Sequence, residues 1–180
     1  ISKKQPIFEK SSTKNVRYMI EDNFFTFWFR FIYKYNYMLE IENYDALKTI
    51  INRDYETFSG LMLERYFKRI LIESKKYTRI GSWWDRKGEN EIDIVAENEL
   101  DQQALFIEVK RNIKNYNPEL LNSKIAAFTR ATGEFKNYIV TQKGVSLEDM
   151  WYTRELPNDK TADDAERHVE IIPLYALSNL

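Results

Sequence analysis

Residues 91–110, EIDIVAENELDQQALFIEVK, read as two short strands around a turn, with charged side chains where a buried strand pair holds apolar ones. Alternation puts Ile92 and Ile94 on one face of the first strand and Asp93 on the other. In the second strand Leu105, Ile107 and Val109 share a face, so Glu108 and Lys110 point together to the opposite one. An antiparallel hairpin with its midpoint near Leu100 and Asp101 sets Asp93 opposite Glu108. Facing carboxylates repel unless a cation lies between them. Lys110 offers an ammonium, but two positions along the strand it is a poor substitute for a metal ion. A solvated strand face with a chance salt bridge is the simpler account of this pattern in isolation. The rest of the chain has to displace it.

The chain has 180 residues, enough for a sizeable core in one domain, or in one domain with an appendage. No apolar run reaches membrane-spanning length and no secretory leader pattern is present, so a cytoplasmic protein without a membrane partner is expected. The first residue is Ile1 and not Met, from which a fragment of a longer protein is expected. Cysteine is absent, which excludes a disulfide scaffold and thiolate metal sites, and the single histidine is His168. A metal here is therefore a hard, oxygen-bound ion, Mg²⁺ or Mn²⁺, not zinc. His168, beside Arg167 after an acidic loop, reads as a surface residue. The net charge of −1 does not advertise nucleic-acid binding, but residues 60–144 carry fifteen basic against twelve acidic side chains, and the tail is acidic. That surplus permits a phosphate-facing groove.

Upstream of the hairpin, residues 1–20 read as an irregular connector. The stretch EDNFFTFWFRFIYKYNYML then predicts a helix with Asp22 as N-cap and one polar stripe, Thr26, Arg30 and Lys34. So apolar a helix is either buried on most sides or docks on another domain or subunit. Residues 39–56 predict a helix with Ala46, Leu47, Ile50 and Ile51 inward, and TFSGLMLERYFKRILIE predicts another, with Leu63, Phe67, Ile70 and Leu71 on its apolar arc. Glu64 stands at the edge of that arc, either as an i,i+4 partner of Lys68 or aimed into a polar site. TRIGSWWDR reads as a strand with an irregularity at Gly81, and of the neighbours Trp83 and Trp84 at least one belongs to the core. After the hairpin, Asn117 as N-cap, Pro118 at the first position and Gly133 at the end delimit a helix, and KNYIVTQKG reads as a strand. One or two helical turns over Ser146–Tyr152, an acidic loop over Pro157–Glu166 and a closing strand with a short helix complete the prediction. From Phe58 onward this order implies an α/β fold, a central mixed sheet flanked by helices, with residues 1–56 as an aromatic-rich helical extension and residues 57–180 as the main domain.

A helix carrying Glu64, a second strand carrying Asp93 and a third carrying Glu108-x-Lys110, followed by a helix and a strand, resemble the PD-(D/E)XK nuclease superfamily over roughly residues 58–144. Ile92 stands where the proline that names the superfamily would be. More specifically, DNFFTFWFRF, SGLMLERYF, IGSWWDRKGENEIDIVA and FIEVKR together look like the C-terminal domain of a family of archaeal and bacterial AAA-type ATPases. The resemblance implies a restriction-endonuclease-like fold, an upstream phosphate-loop ATPase with a winged helix as partner, and DNA as substrate. This chain contains no Gly-Lys-Ser/Thr loop, so no ATP site is expected within it.

Phosphodiester hydrolysis needs an ionised water and neutralisation of developing charge. Asp93, Glu108 and the Val109 carbonyl are the expected metal donors, with Glu64 binding through a water, since Mg²⁺ keeps several of its own. Lys110 beside two carboxylates is expected to stay charged and to act electrostatically before acting as a base. Arg86, Lys87, Arg111 and Lys124 are candidate phosphate contacts. The alternative is a catalytically silent module that docks on DNA, on the ATPase or, through the aromatic helix, on a second copy.

Overall fold

The structure is a computed structural model and describes residues 1–9 and 15–149. The acidic loop, the closing strand with its short helix, His168 and the end of the turns expected after Ser146 lie outside the described residues. Strands β1 (Ser2–Lys4) and β2 (Arg17–Met19) pair with each other. Strands β3 (Arg79–Trp84), β4 (Glu91–Asn98), β5 (Gln103–Val109) and β6 (Ile139–Val145) form a four-stranded mixed sheet in that order. The first two junctions are antiparallel and the last is parallel. Helix α3 (Tyr44–Ser74) covers one face and helix α4 (Pro118–Thr132) the other. The result is a mixed α/β sandwich of three layers, with α4 as the crossover a parallel β5–β6 pair requires.

Alternation along β5 builds both cores. Leu105, Ile107 and Val109 meet Leu63, Phe67 and Leu71 of α3, and Ala104 and Phe106 meet Leu121 and Phe128 of α4. Phe67, Phe106 and Phe128 are fully buried, each stabilising the fold by about 2–3 kcal/mol relative to exposure. The hairpin register runs from Asn98↔Gln103 to Ile94↔Ile107 and ends one position short of Asp93 and Glu108, the pair expected to face each other. The turn closes through Asn98, whose side-chain oxygen accepts from the amides of Leu100 and Asp101, each at 3.1 Å. Helix α4 starts and stops where predicted. Asn117 accepts from the amides of Glu119 and Leu120, and Gly133 takes the left-handed conformation at φ 78°.

Four expectations are corrected. Ile92 and Ile94 do not share a face, because the β3–β4 register slips between Gly81 and Trp83. The extra residue in β4 turns Ile92 toward α4 while Ile94 faces α3, which sets Asp93 at the sheet's rim. Secondly, residues 39–56 and the next predicted helix are largely one element. Helix α3 runs unbroken for 31 residues from an N-cap at Asn43, so the boundary expected at 56/57 falls inside it. Thirdly, residues 1–20 are more than a connector, since Ile7 packs in the α4-side core and its amide donates to the Ser82 carbonyl at 2.9 Å. Both tryptophans are buried, Trp83 in that core and Trp84 with its indole N–H on Asn15 at 2.8 Å.

The fourth concerns the aromatic stretch. It starts as expected, with Asp22 accepting from the Phe25 amide at 2.9 Å. It is not one regular helix, however: α1 (Asn23–Phe27) passes into a π-helical segment (Trp28–Ile32), a 3₁₀ turn (Tyr33–Tyr35) and α2 (Asn36–Glu40). Only Phe31 is fully buried, packed with Phe27 against Phe58 of α3, while Phe24 and Tyr33 are each 63% exposed. The core-helix reading fails for most of these rings.

Gly60 lies in mid-α3 with open space where a Cβ would stand. Gly60→Ala is therefore expected to stabilise the protein by about 0.5–1 kcal/mol, seen as a higher melting temperature, since the helix loses its most flexible backbone position.

Candidate active site

The slip in β3–β4 and the length of α3 bring the four expected residues to one corner of the sheet. Asp93 Oδ2 accepts from the Val109 amide at 2.7 Å, which locks the β4 rim to the end of β5. Val109 thus meets Asp93 through its N–H. Glu108 points to the α4 side, is nearly fully buried, and is held by two ammonium groups. Lys110 Nζ lies 2.8 Å from Glu108 Oε1, and Lys124 Nζ lies 2.8 and 2.9 Å from its two oxygens. Lys124, a candidate from the sequence whose rotation the sequence left open, is thus turned by α4 into the site. Glu64 does not pair with Lys68, which donates to Ser82 Oγ at 3.4 Å. Glu64 instead lines a cavity of about 430 Å³ together with Asp93, Glu91 and Lys124. Thr57, Gly60 and Leu61, one turn and two turns before it on α3, continue that wall, and Arg30 of the π-helical segment closes it.

The electrostatics follow from this crowding. Burial, then the charges of Asp93, Glu91 and Glu108, push the Glu64 carboxyl up to about 8. Burial and then Glu108 raise Asp93 to about 6, opposed by the Val109 amide. Burial works against the Lys110 ammonium, but its hydrogen bond to Glu108 and the charges of Glu108, Asp93 and Glu64 outweigh that and hold its pKa above the ordinary lysine value. Lys110 is therefore a fixed positive charge near neutral pH, as expected from its neighbours.

The donor set suits a hard divalent cation in one respect: Glu64 and Asp93 face a shared cavity with too little positive charge to ionise at their ordinary pKa values. Among the described residues no three carboxylates converge as a ready-made cage. Glu108 is committed to Lys110 and Lys124, so joining a cation would require it to release one of them.

The remaining phosphate-contact candidates are dispersed. Arg86 approaches Glu9 at 3.8 Å, Lys87 is exposed in the β3–β4 turn, and Arg111 pairs with Glu56 at 3.0 Å. None of the three lines the cavity. Sequence reasoning missed Glu91, held by Arg17 at 2.6 and 3.1 Å, and Arg30. Two-residue spacing from Asp93 was an available signal for Glu91; the helix break that aims Arg30 has none.

No helix among the described residues is long and apolar enough to cross a membrane. No solved structure matches the chain. An uncharacterized protein of Methanocaldococcus jannaschii is 39% identical over 117 residues, which is 61% of this chain and 26% of that protein. The chain thus spans about a quarter of the length of this curated relative. Residues 28–120 match a family described as archaeal and bacterial proteins of unknown function (DUF234), a stretch that contains Arg30, Glu64, Asp93, Glu108 and Lys110. With just over half of its length in that match, the chain belongs to this family.

Proposed function

We propose that this chain is a nuclease-like domain of the PD-(D/E)XK type that hydrolyses DNA phosphodiesters with Mg²⁺ or Mn²⁺. One observation carries the reading. Glu64, Asp93, Glu108 and Lys110, from a helix and two strands, meet at one corner beside an open cavity, with Glu64 and Asp93 short of positive charge. When bound, the cation supplies the charge that offsets the phosphate and eases ionisation of the attacking water. Asp93 and Glu64 would hold it, and Glu108 would join only by giving up one of its two lysines. Lys110 stays protonated and offsets negative charge developing on the phosphate oxygens. Lys124, which lines the cavity, would offer a second positive charge to the same phosphate. The restriction-endonuclease-like assignment and a place behind an ATPase and winged helix belong to this reading. They are supported by the sequence resemblance and by the helix–sheet–helix order.

A second reading, a silent module docking on DNA, on the ATPase part or on a second copy, draws on the exposed rings of Phe24, Phe25, Trp28, Phe29 and Tyr33 and on the saturated ion pairing of Glu108. Incubation of purified protein with plasmid and linear DNA separates the two. Metal-dependent cleavage is expected under the first reading. Intact DNA under both Mg²⁺ and Mn²⁺ would leave the docking reading.

A further inference from the structure

We infer that Arg30 is a phosphate-binding residue of this site, gripping a non-scissile phosphate of the bound strand. The inference rests on the nuclease-like reading and names the contact that reading lacks. Its first support is placement. Arg30 comes from the aromatic run, far in sequence from the hairpin, yet lines the same cavity as Glu64, Asp93 and Lys124. It does so because that run is anchored and then deformed. Arg65 of α3 ties down the start of the run, donating to the Ile20 carbonyl at 2.7 Å, the Glu21 carbonyl at 3.2 Å and the Asn23 side chain at 2.9 Å. Phe27 and Phe31 then clamp the middle onto Phe58. Between these two fixings the backbone widens into a π-helical turn, Trp28–Ile32, with Arg30 at its centre. Such turns are rare and concentrate at functional sites.

The second support is charge. The Arg30 guanidinium makes no ion pair or hydrogen bond among the described residues; it lies 5.6 Å from the Phe31 ring centroid, and its charge acts on Asp54 of α3. Three of the surrounding carboxylates are otherwise engaged. Asp54 is gripped by Arg53 at 2.7 and 2.9 Å, Glu91 by Arg17, and Asp93 by the Val109 amide. Glu64 lines the cavity, and among the described residues no ion pair joins it to Arg30. The cavity thus has carboxylates from the sheet and from α3, Lys124 from α4, and Arg30 on its wall. A cation held by the carboxylates would seat one phosphate, and Arg30 a neighbouring one, through the planar fork that suits phosphate oxygens. The near-neutral chain needs few such contacts if each is well placed.

Fluorescence anisotropy with labelled single-stranded and duplex oligodeoxynucleotides tests this, in buffer containing Ca²⁺ to offset the cavity carboxylates and over a series of salt concentrations. Arg30→Ala is expected to weaken binding about tenfold and to lower the salt slope by about one. Arg30→Lys should keep the slope and recover part of the affinity. Lys48→Ala, which removes an exposed cation remote from the cavity, should match the parent protein. Melting curves show whether each variant is folded, and Arg30→Lys keeps the test decisive should Arg30→Ala not fold. A parent that binds and cleaves DNA while Arg30→Ala shows the same affinity and slope overturns the role of Arg30 alone. A parent that binds neither oligonucleotide overturns the nuclease-like reading together with it.

Discussion

Lys110→Ala is expected to reduce metal-dependent DNA cleavage by about 100-fold or more, with the fold intact. The size follows from losing a preorganised charge at the point where negative charge develops, which costs about 2.7–4 kcal/mol of transition-state stabilisation. The mutation leaves Glu108 with Lys124, so the buried carboxylate keeps a partner and the structural cost stays small. Asp93→Ala should lose as much activity by removing a metal donor. It also removes the carboxylate that accepts from the Val109 amide, and a modest drop in melting temperature should accompany it. Gel-based cleavage assays under single-turnover conditions read both. Cleavage that survives either substitution would identify a contaminating nuclease.

Glu64→Gln is expected to do the opposite to stability: about 1–3 kcal/mol of gain at neutral pH in the absence of metal. The folded protein raises the Glu64 carboxyl to about 8, whereas in the unfolded chain it titrates near its ordinary value of 4.5. Between those values the native state holds a proton that the unfolded state has released, so stability falls as pH rises through that window. Asp93, raised to about 6 from its ordinary 3.8, adds a fall of the same sign at lower pH. Glutamine keeps the shape without the charge and flattens the upper part of the curve. Denaturant melts from pH 4.5 to 8.5 give the comparison, and Mn²⁺ should lessen the fall more for the parent protein than for Glu64→Gln. A site less stable without its ligand than a neutral variant of itself is the expected signature of carboxylates placed for binding and not for folding.

The contrast between what the sequence made legible and what it did not has a physical source. Local rules held wherever one element decided the outcome. The caps at Asp22 and Asn117 behave as their side-chain oxygens dictate, and the hairpin turns where expected, between Asn98 and Gln103. The failures lie where two elements negotiate. A one-residue slip against β3 moved Ile92 to the other face, and strict alternation has no term for that. The polar sequence around residue 56 looks like an interruption, yet no proline breaks it and every residue in it tolerates a helix, so α3 continues. The rotation of Lys124 depends on how α4 lies on Phe106 and Trp83 through Phe128, a packing outcome beyond any single element. The aromatic run was read as one regular helix, but its rings satisfy α3 on one side only. That leaves most of them exposed, and the backbone that carries Arg30 widens into a π-helical turn.

The proposed chemistry depends on whether the corner formed by Glu64, Asp93 and Glu108 takes up a divalent cation. Titrating the purified protein with Mn²⁺, with free ion followed by electron paramagnetic resonance, answers this without reference to turnover. Saturable binding that is lost in Asp93→Asn and weakened in Glu64→Gln is the predicted result. No binding by the parent protein, or binding that neither substitution changes, would contradict it.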